Sequence, residues 1–356
     1  MKVALVTIAG LNPTMVDTLK YLAKMAEVEI VGYGDSPARD NQNRRIFEAE
    51  GIAFNHITKL GTSSPNRLAI RMVAHILKSR PDVVVPVEVY YRHSFAISMI
   101  HPKVYSYAFQ NIVLKRAKVM PLMKRLTRLV VPVPSTARVW VHLGFPATKI
   151  YVIPFGVDSL RFKGTQSSWD MPRILYVGRL AEEKGLTYLL RGLSHLKMPF
   201  EAKIVGEGET SKFEALASNL KLGRKLQVVP FVKRDRLHEF YNWSNIFVMP
   251  SLVVGGWAEQ LGMALIEAMA YGRVVIGTRT GAIPDVIGNC GILINEKSET
   301  DIARAIEWVA RNPDKGAALS HKARSRVLQL FDAKSCADRM YQTFIGKGKP
   351  IASEVS

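Results

Sequence analysis

The sequence of 356 residues lacks several features that define protein classes. It contains only two cysteines, Cys290 and Cys336, without CxxC spacing, so neither a disulfide framework nor a cysteine zinc site has support, and we expect a reducing, cytoplasmic location. It has no run of about 18 uncharged apolar residues, which excludes a membrane-spanning helix. It also has no D-x-D triplet, and its first loop lacks G-x-G-x-x-G, which disfavours a metal-dependent single-domain transferase and a dehydrogenase.

Acidic residues are missing from one long stretch. Residues 1–165 hold 23 Lys/Arg and 10 Asp/Glu, whereas the other residues hold 26 and 20, so +13 of the net charge of +19 lies in the first half. Between Glu88 and Asp158 there are ten basic residues and no acidic one. This local excess favours an anionic partner, such as phospholipid head groups, a lipid-phosphate acceptor or nucleic acid. An ordinary solvated surface is the alternative interpretation.

The first thirty residues predict the architecture. Lys2 precedes a short apolar run that we interpret as a buried strand rather than a signal peptide, because Asn12 and Pro13 follow it closely as a helix start. A helical pattern and a strand at 28–31 complete a strand–helix–strand unit. Further strands are predicted at 82–85, 103–107, 129–133 and 150–153, and a second series begins at 173–177 and continues at 202–205, 226–229, 246–249, 274–276 and 292–294.

Two successive α/β series predict two Rossmann-like doubly wound parallel-sheet domains that face each other across a cleft. Residues 156–169 carry no apolar period and are predicted as the linker. The predicted divisions are a first domain at 1–160, a second at 161–332, a final helix at 333–346 that crosses back to the first domain, and a tail at 347–356. Ligands of such sheets bind beyond the carboxyl ends of the strands.

The segment 249–270 carries the strongest chemical pattern. A strand ends at Pro250, a loop follows, and a helix is predicted to begin near Gly262. A helix start offers free N–H groups and a positive dipole end, which suit a diphosphate. Glu259 and Glu267 flank this start with seven residues between them. By themselves, two glutamates at this spacing are more often solvated acids than ligand-binding groups.

The segment resembles the E-x7-E signature of retaining GT-B glycosyltransferases, the family often called glycosyltransferase family 4 or glycosyl transferases group 1. Other motifs similar to those of the family follow in its order. They are Gly178-Arg179-Leu180 through Glu183-Lys184-Gly185, Lys203 to Gly208, Ile153 to Asp158, and Gly281 to Asp285, where aspartate replaces the usual glutamate. The resemblance covers nearly the whole chain, densely from 150 to 345.

The resemblance implies a GT-B fold and sugar transfer with retention of configuration by front-face attack. The first domain would then serve the acceptor and the second would bind a nucleotide diphosphate sugar, which is a substrate, so no cofactor and no metal are expected. The implied catalytic residues are Glu259, Arg179 and Lys184, of which the two cations would grip the diphosphate. The implied donor-binding residues are Gly10, Gly178, Gly206, Leu261, Gly262, Met263 and Glu267.

One departure from the family concerns a histidine that many relatives carry after a strand of the first domain. This sequence has Gln110 and Asn111 in the corresponding stretch. Neutral amides can orient an acceptor hydroxyl but cannot take its proton. Either these amides position the acceptor, or His93 or His101 enters from nearby, although a lone histidine is more often structural.

Residues 114–129 combine apolar and basic side chains in a predicted helix. Such a helix suits docking on an anionic membrane surface, although Pro121 would kink it and packing against the sheet is an equal alternative. A peripheral position at the cytoplasmic membrane face would follow from docking. The cations concerned are Lys115, Arg116, Lys118, Lys124, Arg125 and Arg128.

Three further functions stay open at this point. A nucleotide-sugar epimerase or a sugar-phosphate synthase would use the same fold, and the net charge of +19 is typical of a nucleic-acid-binding protein. No zinc-finger spacing or RNP-like motif supports nucleic acid as a partner, so none is expected. The motifs determine neither the donor base, the sugar nor the acceptor.

Overall fold

The computed structural model describes residues 1–7, 15–32, 44–57, 65–88, 92–109, 121–162 and 170–351. The chain divides into two compact units. Unit 1 comprises Met1–Asp158 and Asp332–Ser356, and unit 2 comprises Ser159–Phe331. Gly10, Gln110, Asn111, Lys115, Arg116 and Lys118, all of which the sequence singled out, lie outside the described residues. None of the helices in the described ranges is long and apolar enough to span a bilayer.

Unit 1 is built on parallel strands. Within the described residues they are β1 (Lys2–Thr7), β2 (Glu27–Gly32), β3 (Ala53–His56), β4 (Val83–Pro86), β5 (Tyr105–Tyr107), β6 (Arg128–Val131) and β7 (Ile150–Val152). The strands pair in the orders β3-β2-β1-β4 and β5-β6-β7. Parallel bridges from Val84 to Val104 and from Val87 to Tyr107 connect the two groups. The winding order therefore reverses between β1 and β4, as in a doubly wound sheet.

Helices cover both faces of this sheet. They are α1 (Val16–Leu22), α2 (Pro65–Ser79), α3 (Arg92–Ile100) and α4 (Pro134–His142). Strand β1 alternates with period two, because Val3 and Leu5 join a core with α1, whereas Ala4 and Val6 join a core with the other three helices. A strand buried on both faces reads as a continuous apolar run, which explains why the sequence reveals it.

Unit 2 repeats this plan. Its described strands are β8 (Arg173–Val177), β9 (Glu201–Val205), β10 (Leu226–Val229), β11 (Ile246–Met249), β12 (Val274–Thr278) and β13 (Ile292–Ile294), all parallel, in the order β10-β9-β8-β11-β12-β13. The helices are α5 (Leu186–Ser194), α6 (Thr210–Asn219), α7 (Leu237–Trp243), α8 (Met263–Ala270), α9 (Ile283–Ile287), α10 (Glu299–Arg311) and α11 (Pro313–Leu330). The order reverses between β8 and β11.

The last helix, α12 (Ala333–Phe344), belongs to unit 1. The side chain of Asp332 caps it by accepting a hydrogen bond from the backbone N–H of Ser335. Its apolar residues, among them Cys336 and Met340, lie in the core shared with α1. A parallel bridge between Val157 and Asp332 brings together the segments at which the chain leaves and re-enters unit 1.

The predicted basic helix at 114–129 is wrong in its last part. Residues 121–123 are helical, but the helix does not continue, and Arg128 and Leu129 belong to β6. Tertiary pairing of β6 between β5 and β7 overrides the helical pattern. Leu122 and Leu126 are buried in the core, so this part of the apolar face packs against the sheet.

The Arg128 side chain makes its contacts within unit 1. Its guanidinium lies over the rings of Tyr105 and Tyr151, and it donates a hydrogen bond to the backbone carbonyl of Thr343 in α12. Arg128 is therefore not part of a membrane-facing rim. Lys124 and Arg125 are exposed.

Candidate active site

The carboxyl ends of β8 and β11 lie side by side where the winding order of unit 2 reverses. Gly178 and Arg179 follow β8, and Pro250 and Ser251 follow β11. Crevices at such switch points are where open α/β sheets bind ligands. The predicted motif residues of unit 2 therefore start from neighbouring strands.

Two glycines allow the loops at this edge to approach each other closely. A Cβ on Gly206 would lie 1.7 Å from the carbonyl oxygen of Gly178. Gly185 has φ +68°, and a Cβ there would lie 1.9 Å from the carbonyl oxygen of Pro250. Because any larger residue would collide with backbone, these positions need glycine for packing alone. Contact of Gly178 and Gly206 with the donor stays a prediction.

Lys184 and Glu259 form the central pair of the site. The Lys184 ammonium donates to Glu259 Oε2 at 2.6 Å, and their side chains are only 12% and 10% exposed. Ser251 Oγ donates to the same carboxylate oxygen at 3.2 Å. The ammonium also lies 4.5 Å from the ring centre of Trp257. Lys184, 75 residues before Glu259 in the chain, thus meets Ser251 at one carboxylate.

Arg179 is held differently. Its guanidinium donates to Glu183 at 2.6 Å, and its side chain is 59% exposed. The Tyr176 hydroxyl donates to the backbone carbonyl of Arg179 at 2.8 Å, which fixes the loop rather than the side chain. The guanidinium can therefore change partner at little cost, since an exposed ion pair contributes little stability.

Glu267 lies in α8 and is buried. The hydroxyl of Tyr241 donates to Glu267 Oε2 at 2.8 Å, and the Arg234 guanidinium lies 3.7 Å from Oε1. Tyr241 also stacks on Tyr271 with ring centres 5.1 Å apart. Burial raises the pKa of Tyr241 well above its usual value, so the hydroxyl keeps its proton and remains a donor.

The N-terminus of α8 is open to an anion. Gly262 adopts a left-handed conformation with φ +75°, and no side chain caps the helix. The first N–H groups of a helix have no partner within it, and they point along the positive end of its dipole. Leu261 is buried and Met263 is half-buried, so their predicted contacts with the donor would use backbone groups.

Sequence reasoning missed four residues that hold the site together. Ser251 and Trp257 stood inside the recognised segment, but nothing in their spacing indicated contact with the Lys184–Glu259 pair. Arg234 and Tyr241 lie outside every recognised motif. They reach Glu267 because the chain before β11 packs beside α8, which no local pattern reveals.

The two candidate histidines of unit 1 differ in their surroundings. Burial lowers the pKa of His93 to about 4, so its ring is neutral at pH 7. His101 Nε2 donates to the carbonyl of Pro81 at 2.9 Å, and its Nδ1 accepts from the N–H of Lys103 at 3.2 Å. Pro81 precedes β4, so His101 lies at the amino edge of the sheet, opposite the edge where ligands bind. This placement counts against an acceptor-binding role.

Glu88 is an ionisable group that the sequence did not single out. It follows β4 next to the switch point of unit 1, and its backbone has φ +72°, which is rare for a residue other than glycine. Its N–H donates to the carbonyl of Tyr107, and its carbonyl accepts from Ser94 Oγ. Burial raises the pKa of the carboxyl to about 8, partly offset by a hydrogen bond from the Phe109 backbone.

Residues 161–326 match the family model described as glycosyl transferases group 1. The whole chain is similar in fold to Anabaena HepE, solved in complex with UDP and glucose, with a TM-score of 0.80 and 16% identity over 97% of this chain and 99% of that chain. The fold is thus that of GT-B glycosyltransferases, with two Rossmann-like parallel-sheet domains. The segment that is similar to glycosyl transferases group 1 lies within unit 2 and contains Arg179, Lys184, Glu259 and Glu267.

Among curated relatives, the amylovoran biosynthesis glycosyltransferase AmsK of Erwinia amylovora is 29% identical over 189 residues, which cover 50% of this chain and 46% of that protein. The sulfoquinovosyl transferase SQD2 of Arabidopsis thaliana is 24% identical over 354 residues, covering 90% of this chain and 67% of that protein. The chain spans about half the length of AmsK and of other curated relatives that it matches.

Proposed function

We propose that this protein transfers a sugar from a nucleotide diphosphate sugar to an acceptor hydroxyl with retention of configuration, as in glycosyltransferase family 4. The observation that carries the proposal is the Lys184–Glu259 pair, 2.6 Å apart, between the switch point of unit 2 and the uncapped start of α8. This arrangement offers a cation, an anion and backbone donors within one small region.

The diphosphate of the donor is the charge that this site suits. Lys184 supplies a point charge, and Arg179 supplies a planar fork that can leave the exposed pair with Glu183 to bind a phosphate. The amides at the start of α8 add donors that need no reorganisation. We assign the leaving diphosphate to these groups, because negative charge grows on it as the bond to the sugar breaks.

The two glutamates would bind the ends of the donor. Glu259 would accept hydrogen bonds from hydroxyls of the transferred sugar, and its contact with Lys184 would hold it beside the diphosphate. Glu267 would bind the ribose hydroxyls, with its orientation set by Tyr241 and Arg234. A carboxylate that is already oriented loses little freedom on binding, which favours affinity.

In this proposal the configuration at the anomeric carbon is retained because the acceptor attacks that carbon on the same face from which the diphosphate leaves. The acceptor oxygen bonds to the anomeric carbon, the bond from that carbon to the phosphate oxygen breaks, and a phosphate oxygen takes the acceptor proton. The step needs no protein nucleophile and no metal in the proposal. Lys184 and Arg179 lower the barrier by stabilising the departing charge.

The substrates belong to the same proposal. The structural similarity to a protein solved with UDP and glucose supports a nucleotide sugar as donor. The relatives include the amylovoran biosynthesis glycosyltransferase AmsK and WcaL, named as a putative colanic acid biosynthesis glycosyltransferase, which supports a cell-envelope glycan or lipid-linked acceptor. Such an acceptor would place the enzyme at the cytoplasmic face of a membrane.

Thermal unfolding in the presence of UDP-, GDP- and ADP-sugars tests the donor site. One nucleotide sugar should raise the unfolding temperature of the wild type, and Lys184→Met and Glu267→Gln should remove that shift. Lys322→Met, which changes an exposed lysine of α11, is the matched control and should keep it. An unchanged shift in both site variants would overturn the proposed binding mode.

Product analysis separates the alternatives. A transferase consumes the donor faster when the acceptor is present, whereas an epimerase releases a modified nucleotide sugar without any acceptor. A nucleic-acid-binding protein would retain RNA in a salt-dependent manner that the nucleotide sugar does not compete. The comparisons give these alternatives no support over sugar transfer.

A further inference from the structure

Exposed apolar side chains are concentrated on two helices of unit 1. Of the 14 large apolar side chains that are exposed among the described residues, five lie on α2 and α3, which together have only 24 residues. Ile70, Leu77 and Met99 are the most exposed of them, at 67%, 57% and 58%, and Phe95 and Ile100 complete the set. Single exposed apolar residues are ordinary, but a cluster marks a contact surface.

These side chains share one side of the unit. Met72 and Ile76 of α2 and Ile97 of α3 are buried in the same core, on one face of the sheet. The two helices also pack against each other. Their outward sides are therefore neighbours, and we name the set of five exposed apolar residues, together with the cations described next, the α2–α3 surface.

The charge of this surface has one sign. Helix α2 carries exposed Arg67, Arg71 and Lys78 on the side of Ile70 and Leu77, and neither α2 nor α3 contains an acidic residue. Beyond the end of α3 lies exposed Lys103. The acid nearby in sequence, Asp82, accepts a hydrogen bond from the backbone N–H of Lys2.

The turn at 124–125 adds two cations to the same edge. The N–H of Thr127 donates to the carbonyl of Val104, and its hydroxyl donates to the carbonyl of Pro102. These bonds bring the turn beside the chain that leaves α3, so exposed Lys124 and Arg125 join Lys103 there. The α2–α3 surface thus has apolar residues with cations along and beyond them.

We propose that the α2–α3 surface docks on an anionic lipid bilayer. Apolar side chains of this kind enter the interfacial region, and the cations bind lipid phosphates. A second copy of the chain is a poor occupant, because it would bring a surface of the same charge. This inference rests on the proposed function in one respect: a lipid-linked or cell-envelope acceptor would give the enzyme a reason to bind a membrane.

The docking elements differ from those that the sequence suggested. Of the predicted basic helix, Arg128 lies within unit 1, and Leu122 and Leu126 belong to the core. In this proposal the membrane contact is made instead by the exposed sides of α2 and α3. Of the predicted basic helix, the turn at 124–125 contributes the cations Lys124 and Arg125. A variant of this turn alone should therefore weaken docking less than loss of the apolar residues.

Co-sedimentation of the full chain with vesicles tests the proposal. Wild type should bind vesicles of phosphatidylcholine with phosphatidylglycerol, and added salt or pure phosphatidylcholine should weaken binding. Leu77→Ser with Met99→Ser should lower the vesicle partition coefficient by about tenfold or more. Each change removes an apolar side chain that would be buried in the bilayer interface on docking. The control, Phe231→Ser with Leu328→Ser, changes exposed apolar residues of unit 2 and should bind like wild type.

Donor binding separates this inference from the proposed function. Leu77→Ser with Met99→Ser should keep the thermal shift with the nucleotide sugar, and Lys184→Met should keep vesicle binding. Equal vesicle binding by the double variant and wild type would overturn the proposal. It would also be overturned if wild type formed a dimer that the double variant does not form and bound no vesicles, because a second copy would then cover the surface.

Discussion

The sheets of the two units wind in the same order but carry different chemistry at their edges. In unit 2, the carboxyl edge gathers oppositely charged pairs, with Lys184 on Glu259 and Arg234 near Glu267. In unit 1, the described part of that edge holds the buried Glu88, whereas exposed cations lie at the amino edge. The same topology thus carries the proposed donor site in one unit and the proposed docking surface in the other.

This difference shows that strand order defines where a ligand can bind but not which ligand binds. The crevice position follows from topology, because it lies where the winding direction reverses. The chemistry follows from the loops that leave the strands, and these differ between the units. The comparison can be tested by removing single groups from either edge.

The largest effect is expected at the central pair of unit 2. Lys184→Met removes the cation assigned to the leaving diphosphate, so kcat should fall by about 10²- to 10³-fold, the usual loss for one preorganised electrostatic group. Steady-state kinetics with the donor found by thermal shift would measure it. Lys322→Met should retain wild-type kcat, and a loss below threefold in Lys184→Met would remove Lys184 from the catalytic groups.

The next effect concerns the packing of the site loops. Gly185→Ala should destabilise the protein by about 3 kcal/mol or more, because its Cβ would collide with the carbonyl of Pro250 in a left-handed conformation. Gly223→Ala is the matched control, since Gly223 also has positive φ (+51°) but nothing within 4 Å of its Cβ. We expect about 1 kcal/mol there. Urea unfolding compares the two, and equal losses would show that the close approach is relaxed in solution.

A smaller effect is expected from Glu88 at the edge of unit 1, as a dependence of the protein's stability on pH. The pKa of Glu88 is raised to about 8 in the fold, so the folded state keeps a proton that the unfolded chain has released, and stability should fall as pH rises to 8. His93, with a pKa near 4, has the opposite effect below pH 6.5. As pH rises from 6.5 to 8, the ionisation of Glu88 should therefore lower the free energy of unfolding by about 2 kcal/mol.

Glu88→Gln tests this dependence, because the amide cannot ionise. Its free energy of unfolding should change less between pH 6.5 and 8 than that of wild type. Glu50→Gln, which alters an exposed glutamate of the same unit, should follow the wild-type curve. Parallel curves for wild type and Glu88→Gln would show that the carboxyl is already ionised at neutral pH.

The smallest expected effect concerns the support of Glu267. Tyr241→Phe removes the hydroxyl that donates to this carboxylate at 2.8 Å and leaves the stacked ring in place. A hydrogen bond to a charged group contributes about 1.5–3 kcal/mol, and part of the loss should appear as donor affinity weakened by about fivefold. Isothermal calorimetry would measure it, with Tyr188→Phe in α5 as the control. Unchanged affinity would mean that Arg234 alone orients Glu267.

Much of the architecture was accessible from local patterns. The strands of both units are short apolar runs, because parallel strands in a doubly wound sheet are buried on both faces. The start of α8 near Gly262 was predicted from glycine and the apolar run that follows. These features depend on neighbouring residues, so the order of the chain is enough to reveal them.

Two placements that local patterns did not reveal have a common physical origin in long-range packing. Arg128 was assigned to a helix, but it belongs to β6, which pairs between β5 and β7, and its side chain contacts α12. His101 was considered for the acceptor site, yet its ring is bonded to backbone at the opposite edge of the sheet. Thr343 lies 215 residues from Arg128 in the chain, and Pro81 lies 20 residues from His101, so local patterns reveal neither of these two contacts.

The linear order of residues established the two α/β series, the glycine and charge motifs, and the cationic bias of the first half. The folded arrangement decided that Lys184, Ser251 and Glu259 meet at one carboxylate, that Tyr241 supports Glu267, and that the exposed apolar residues of α2 and α3 share a side. The reason is that motifs record periodicity and spacing, whereas contact between distant residues depends on how strands and helices pack.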